Sequence, residues 1–409
     1  MTNANPPFPA EWSIKSLIDK DPFPAYEELR KGGPLFWDSG FKCWVVLSYD
    51  LCRTVEFDEG TYRALPPMDE PPVSFEIKGD PGRTAVSVLT GEEHARMRRF
   101  YLKFLNTSLM PEYRAEHVLP VINHIIDRFA EEGSAELGSQ FADEVTVRVM
   151  ASLFGLPWKD DALMADMSRY NDDIIASFTM RFADDEANGP ALRASAELNK
   201  ILLPLILGRK RARGSDFISQ IWTRAEEEFR DTDVDHIIGI VRDIALGAGD
   251  TTKNAIANLI YMFLSDRAVR EIVTKDQEGP LNVLVEETLR LVGPLPWRFR
   301  KANRDVSLAG VTVKKDDKLC LLHAAAGRDP DHYSCPHMLD LNRKRPTDHL
   351  QFSVGSRICP GMHLARLLMR ESVKALIARF PNLRLDPAKE PPSFRGLSPR
   401  SFRPLQVRF

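Results

Sequence analysis

The sequence offers little to a bilayer, a secretory route or a nucleic acid. No apolar run approaches the ~18–20 residues that a membrane-crossing helix needs. The N-terminus, "MTNANPPFPAEWS", is polar and proline-rich where a signal peptide would be apolar. A net charge of -3 over 409 residues argues against a general nucleic-acid binder, which is usually basic. Gly/Ser linkers, low-complexity tracts and solenoid repeats are missing. The length admits two or three domains, yet without a linker one large domain is equally open. The cysteines are few and odd in number: Cys43, Cys52, Cys320, Cys335 and Cys359. Their spacings match neither a disulfide framework nor a zinc site, which fits a reducing cytosol. The expectation is a soluble cytoplasmic chain without its own anchor, with no membrane or nucleic-acid partner.

What is present is mostly helical. "PFPAYEELRK" reads as a short helix over 22–31, and "CWVVLSY" from Cys43 as a strand. Residues 61–89 are proline-rich with little periodicity and read as a long loop. Thr90 and Glu93 stand in capping-box spacing, so a helix is expected from Gly91. Residues 111–230 carry several amphipathic segments. From Val234, a proline-free stretch of about 30 residues predicts one long helix of ~45 Å. "LNVLVEETLRLV" is a further helix, stopped by Pro294 and Pro296. Residues 305–324 alternate like strands, "GMHLARLLMRESVKALIARF" is a final helix, and "RPLQVRF" a terminal strand. The fold class is mainly α with minor β. The β-rich parts are expected near 35–60, 297–325 and 390–409, within one domain over 1–409.

The stretch "FSVGSRICPG" holds Cys359 between two glycines. Gly355 permits a tight turn and Pro360 suits the first turn of a helix. Amide N–H groups and the positive helix end near the sulfur favour thiolate over thiol. A single strong ligand on an otherwise open metal points to haem iron, whose porphyrin supplies the other four donors. A buried structural cysteine is the plainer alternative. Phe352, Gly355, Arg357, Cys359 and Gly361 together spell F-x-x-G-x-R-x-C-x-G. This resembles the haem-binding loop of the cytochromes P-450, the cysteine-thiolate case among haem proteins.

Further motifs follow in that family's order. "ETLR" puts Glu287 and Arg290 on one helix face. The resemblance joins them to Arg343 in a buried ionic lock behind the cysteine loop. "GAGDTT" sits within the long helix and is no phosphate loop, since neither the Lys-Ser/Thr pair nor a leading strand is there. Gly247 and Gly249 each weaken a helix interior by roughly 1 kcal/mol. They read either as a gap for a flat cofactor or as a helix-packing notch. By resemblance, Thr251 steadies dioxygen, Asp250 delivers protons through water, and Ala248 lies against the haem. The order Gly247-Ala248 reverses the commoner alanine-glycine. His94, Arg98, Arg300 and Arg357 match the family's propionate partners, with Phe352 and Gly361 completing the cofactor loop. A solvated charge is the plainer reading of each.

The resemblance implies a cytochrome P-450 fold, with the long central helix over the haem and the cysteine loop beneath. It also implies haem b, dioxygen as co-substrate, and NAD(P)H acting only through redox partners. No flavin or nicotinamide fold and no iron–sulfur pattern is seen, so a ferredoxin or flavodoxin with its reductase is the expected donor. Arg99, Lys103, Arg366 and Arg370 are candidates for its basic docking patch. Pocket candidates are Phe178, Phe182, Leu295, Trp297, Leu397, Gly247 and Asp243. Together they suit a compact apolar substrate, aromatic or terpenoid. Asp243 is read as a polar anchor for a substrate amine or hydroxyl, or as an ion pair with Arg242 or another nearby base. The expected function is a monomeric haem monooxygenase performing hydroxylation or oxidative dealkylation. The alternatives are a peroxide-driven peroxygenase, against which Asp250 and Thr251 argue, and a haem-based gas sensor, against which the lack of an output domain argues.

Overall fold

Short strands drawn from distant parts of the chain build the one sizeable sheet. In spatial order they are Leu35–Asp38, Cys43–Val46, Lys318–Leu321, Arg298–Ala302 and Tyr62–Ala64. Cys43–Val46 and Lys318–Leu321 run parallel, with Trp44 beside Leu319, and the remaining pairs are antiparallel. The computed structural model describes residues 11–64, 84–87, 89–179 and 188–409. The chain divides into two compact units. One comprises Met1–Leu65, Asn254–Cys359 and Asn382–Phe409; the other comprises Pro66–Lys253 and Pro360–Pro381.

In the first unit the sheet packs on the helix Tyr49–Phe57 through Val46, Leu319, Leu321, Tyr49, Cys52 and Val55. Each such side chain contributes roughly 1.5–3 kcal/mol by leaving water. Ser48 caps this helix, accepting from the Leu51 amide at 3.4 Å. Cys43, Cys52 and Cys320 lie in the core. Burial pushes the Cys52 and Cys320 thiols well up, which keeps them inert. The alternating stretch expected over 305–324 resolves into the sheet strand Lys318–Leu321 and a hairpin, Val306–Leu308 with Val311–Val313. Ala309 and Gly310 both have positive φ, 49° and 80°, as a tight two-residue turn requires. The terminal strand is Gln406–Arg408, paired with Arg384–Leu385.

The second unit is mainly helical, and its helices pack on one another. Asp161–Thr179 packs along Asn188–Arg211, and Met362–Arg379 along Leu119–Asp127. Trp222 is fully buried and donates from Nε1 to the Ile206 carbonyl at 3.0 Å. The expected long helix is continuous over Val234–Ser265; its residues up to Lys253 belong to this unit. Two local expectations fail. The helix Gly91–Leu105 begins where expected, but Thr90 makes no side-chain capping bond. Gly91 enters with φ 58°, which breaks the approach geometry a capping box needs. Pro360 is not in a first helical turn either: the final helix is Met362–Arg379 with Gly361 as its N-cap.

The Glu287, Arg290 and Arg343 lock is present within the first unit. Glu287, fully buried, accepts from Arg290 Nε at 2.6 Å and Nη2 at 2.8 Å, and from Arg343 Nε at 2.7 Å. The Asp340 amide adds a bond at 3.0 Å. The remaining donors of Arg290 go to the carbonyls of Gly327, Pro336 and Met338, at 2.6–2.9 Å. Removing the carboxylate strands two guanidiniums, one of them fully buried. Glu287→Ala is therefore expected to lower stability by about 3–5 kcal/mol, read as the change in chemical-denaturation midpoint. A change below about 1 kcal/mol would mean the lock carries no more than a surface ion pair.

Candidate active site

The cysteine loop is fixed by its own backbone. The Cys359 amide donates to the Phe352 carbonyl at 2.7 Å, closing the segment into a compact turn. Gly355 has φ 70°, and a Cβ there would meet the Phe57 ring at 3.2 Å. The glycine is thus required twice, by backbone conformation and by close approach. Ser353 also has positive φ, 60°. Phe352 and Cys359 are half-buried, unlike the three core cysteines. Among the described residues, no group of three or more His, Cys, Asp or Glu side chains is arranged to hold a metal ion. A metal on Cys359 would draw its other donors from a prosthetic group.

Arg298 and Arg300 alternate on the strand Arg298–Ala302 and share a face. Desolvation lowers both guanidiniums. Among the described residues Arg298 bonds to the Trp297 and Gln351 carbonyls, at 3.0 and 3.4 Å, and it feels the charge of Cys359. Arg300 is buried and its Nε has no acceptor. Cationic donors on half-buried Arg298, which feels Cys359, and on buried Arg300 fit an anionic group such as a haem propionate. Arg357 is different, since its Nε is already paired with Glu59. The sequence reading missed three partners of these groups: Glu59, Glu56 and Arg298. For Arg298 the period-two spacing to Arg300 was the available signal.

The long helix carries the other candidates. The Thr251 hydroxyl donates to the Gly247 carbonyl one turn back, at 3.0 Å. Asp250 is buried, and Lys253 Nζ stands 3.3 Å from its Oδ1 while also binding Asp172. Burial raises Asp250, and Lys253 offsets this only in part. Burial alone would lower Lys253, but Asp172 and Asp250 outweigh it. The two glycines separate: a Cβ on Gly249 would press on Asn171 at 2.8 Å, a helix-packing notch. A Cβ on Gly247 meets no described protein atom within 4 Å, and Ala248 beside it is half-buried.

The structure does not pair Asp243 with Arg242. Arg242 donates to Ser195 Oγ at 2.6 Å and Asn199 Oδ1 at 3.2 Å, while the Tyr101 hydroxyl, which donates to the Thr84 carbonyl at 3.2 Å, feels the Asp243 carboxylate. Burial and then Asp243 push the Tyr101 phenol well up. Asp243 lines a small cavity with Thr84, Ala85, Gly239, Arg242 and Leu246. His94 is buried and Arg98 half-buried on Gly91–Leu105. Trp297 sits in the core against Phe41, at 5.4 Å between ring centroids, while Leu295 and Leu397 are half-buried. Phe182 lies outside the described residues, as do most of residues 61–89 and the side chain of Phe178. In the candidate basic patch, Lys103 is spent on Glu228 at 2.6 Å.

Comparison with known proteins agrees with this geometry. The cytochrome P450 family model matches residues 280–402, which span the lock and the cysteine loop. The cytochrome P450 monooxygenase PikC of Streptomyces venezuelae is 28% identical over 94% of this chain and 90% of its own length. The C-19 steroid 1alpha-hydroxylase of Sorangium cellulosum is 29% identical over 76% of this chain and 77% of its own. Among solved structures, CYP109E1 from Bacillus megaterium in complex with testosterone superposes with a TM-score of 0.83. It is 23% identical, covering 97% of this chain and 99% of that one. P450BioI in complex with an acyl carrier protein bearing hexadec-9Z-enoic acid gives 0.84 at 23% identity, over 96% and 99%. Fold and sequence together define a haem-thiolate protein. The matched model, the relatives and the fold are all those of cytochromes P450, whose cofactor is haem b, and this chain is similar to them over nearly its whole length.

Gly355→Ala is expected to destabilise the cysteine loop by about 1–2 kcal/mol, from a residue forced into the left-handed region, and to lower the haem content of purified protein. The measurements are thermal unfolding and the ratio of haem to protein absorbance; parental values in both would show that the loop does not need a glycine.

Proposed function

We propose that the chain is a monooxygenase. It would insert one atom of dioxygen into a C–H bond of a small, mainly apolar molecule and reduce the other atom to water with two electrons and two protons. The observation that carries this reading is the lone half-buried cysteine in a closed F-x-x-G-x-R-x-C-x-G turn beside desolvated arginines. The relatives support it, being named as monooxygenases and hydroxylases. Haem b, when bound, supplies the activation of dioxygen with electrons that originate in NAD(P)H.

Each residue has a role derived from its surroundings. Cys359 is the thiolate ligand. Arg298 and Arg300 hold anionic propionate, with Arg357 acting while still paired to Glu59; His94 and Arg98 serve the same need from their helix. Asp250 holds and releases a proton: burial raises its proton affinity above that of an ordinary carboxylate and Lys253 offsets this in part, so removing either changes how readily it protonates. Thr251 turns its hydroxyl from the Gly247 carbonyl toward the reacting oxygen. Gly247 leaves one face of the helix unobstructed. Asp243, beside Tyr101, orients a hydroxyl or amine of the substrate. Electrons come from a separate ferredoxin or flavodoxin with its reductase. Among the described residues no helix is long and apolar enough to cross a membrane. We place the enzyme in the cytoplasm as a monomer, with residues 1–409 acting as one catalytic domain.

Three outcomes of one experiment separate the readings. Purified protein with a ferredoxin, its reductase and NADPH should yield product from a panel of small aromatics and terpenoids only when dioxygen is present. Product from peroxide alone would favour a peroxygenase, and none under either condition a gas sensor. Cys359→Ser should abolish the thiolate signature of the reduced carbon monoxide complex. Lys253→Met removes the counter-charge, so Asp250 keeps its proton to higher pH. The acid limb of the pH–turnover profile is then expected to move upward, and an unmoved limb would exclude Asp250 as the titrating group.

A further inference from the structure

Glu56 stands where its helix calls for an apolar residue. Tyr49–Phe57 buries Tyr49, Cys52 and Val55, and Glu56 joins them at 0% exposure. A carboxylate in that position is costly unless bonded and paired. Its Oε1 is met by three distant segments. Ser353 of the cysteine loop donates its hydroxyl at 2.9 Å, His323 Nε2 lies at 3.2 Å and Arg300 Nη2 at 3.6 Å. Ser353 is the loop residue whose backbone is left-handed.

The charges around this oxygen do not cancel. Three guanidiniums, those of Arg298, Arg300 and Arg357, share one electrostatic neighbourhood with two carboxylates, Glu56 and Glu59. Burial would raise Glu56, but His323, Arg300 and Ser353 hold it below the ordinary carboxylate range, so it stays ionised. Burial lowers His323, outweighing the raising effect of Glu56. Arg298 feels both Glu56 and Cys359, which links the carboxylate to the candidate metal ligand.

We propose that Glu56 is a positioning residue for the haem site: it holds Arg300 and the Ser353 turn in place, and its negative charge keeps the haem's reduction potential lower than the three guanidiniums alone would set it. This rests on the haem-thiolate reading. Adding an electron to iron is favoured by positive surroundings, and in a desolvated site one charge more or less is weakly screened. Glu56→Gln keeps the shape, removes the charge and leaves two of the three guanidiniums uncompensated.

The test uses haem-loaded protein, with potential read by spectroelectrochemical titration and haem retention by transfer to excess apomyoglobin. In Glu56→Gln the oxidised–reduced equilibrium is expected to shift about tenfold toward reduced iron, about 59 mV for one electron, with several-fold faster haem loss. In Glu56→Asp, which keeps the charge but shortens the reach, haem loss should quicken with the equilibrium moving less than about twofold. A Glu56→Gln protein with parental potential and parental haem loss overturns the proposal. If Glu56→Gln does not fold, Ser353→Ala and His323→Asn carry the test. Each removes one contact of the carboxylate, and parental haem loss in both overturns the proposal. A parent protein that binds no haem under the same conditions defeats the haem-thiolate reading itself, an outcome distinct from any of these.

Discussion

Charge taken out of water, and the geometry needed to tolerate it, governs the unit that carries Cys359. Glu287 has no exposure, and neither has the Arg290 side chain bound to it. Desolvating such a pair costs about as much as their attraction returns, so the lock is no simple source of stability. What it provides is specification. Arg290 satisfies carbonyls at Gly327, Pro336 and Met338, so the long irregular run ahead of the cysteine loop has one arrangement in which no buried charge is orphaned. The neighbouring Glu286 acts on the same stretch, bonding His349 Nε2 at 3.0 Å. Two consecutive acids on one helix thus tether residues 340–351 before the turn that presents the sulfur.

The same logic explains why the sheet arginines come with acids. A guanidinium buried among carbonyls alone loses much of its hydration and gains modest hydrogen bonds in return. Glu56 and Glu59 stabilise Arg300 and Arg357 without using every donor, as the unbonded Arg300 Nε shows. A site built this way keeps its arginines ordered whether or not an anionic ligand is present. It also limits the positive field they would otherwise direct at a thiolate.

Much of the site was legible because its residues are close in sequence. The cysteine decapeptide, the Glu287–Arg290 spacing and the acid-threonine pair are each confined to a few turns, and helix periodicity located Val234–Ser265 and Gly279–Val292 to within a residue or two. The strands were harder, since runs of two to five residues are too short for period-two alternation to stand out. The capping box failed because the pattern carries no information on φ, and Gly91 takes the left-handed region. Partners across the fold leave no local trace. Glu56 and Ser353 are 297 residues apart, and Asp172 and Lys253 are 81 apart. The one available hint was negative: Glu56 interrupts an apolar face, and a charge in a buried stripe implies a partner elsewhere.

Asp243 shows how an interruption of this kind is resolved differently on the long helix. Its neighbour Arg242 turns into the helical core toward Ser195 and Asn199, and burial lowers that guanidinium to about 10. Asp243 therefore does not pair with Arg242 and acts on the Tyr101 phenol. The Tyr101 hydroxyl donates to the Thr84 carbonyl at 3.2 Å, and burial together with the nearby Asp243 carboxylate pushes that phenol well up. Two adjacent charges on one helix thus take different tasks: Arg242 ties the helix to its neighbour through Ser195, and Asp243 helps keep a buried phenol protonated.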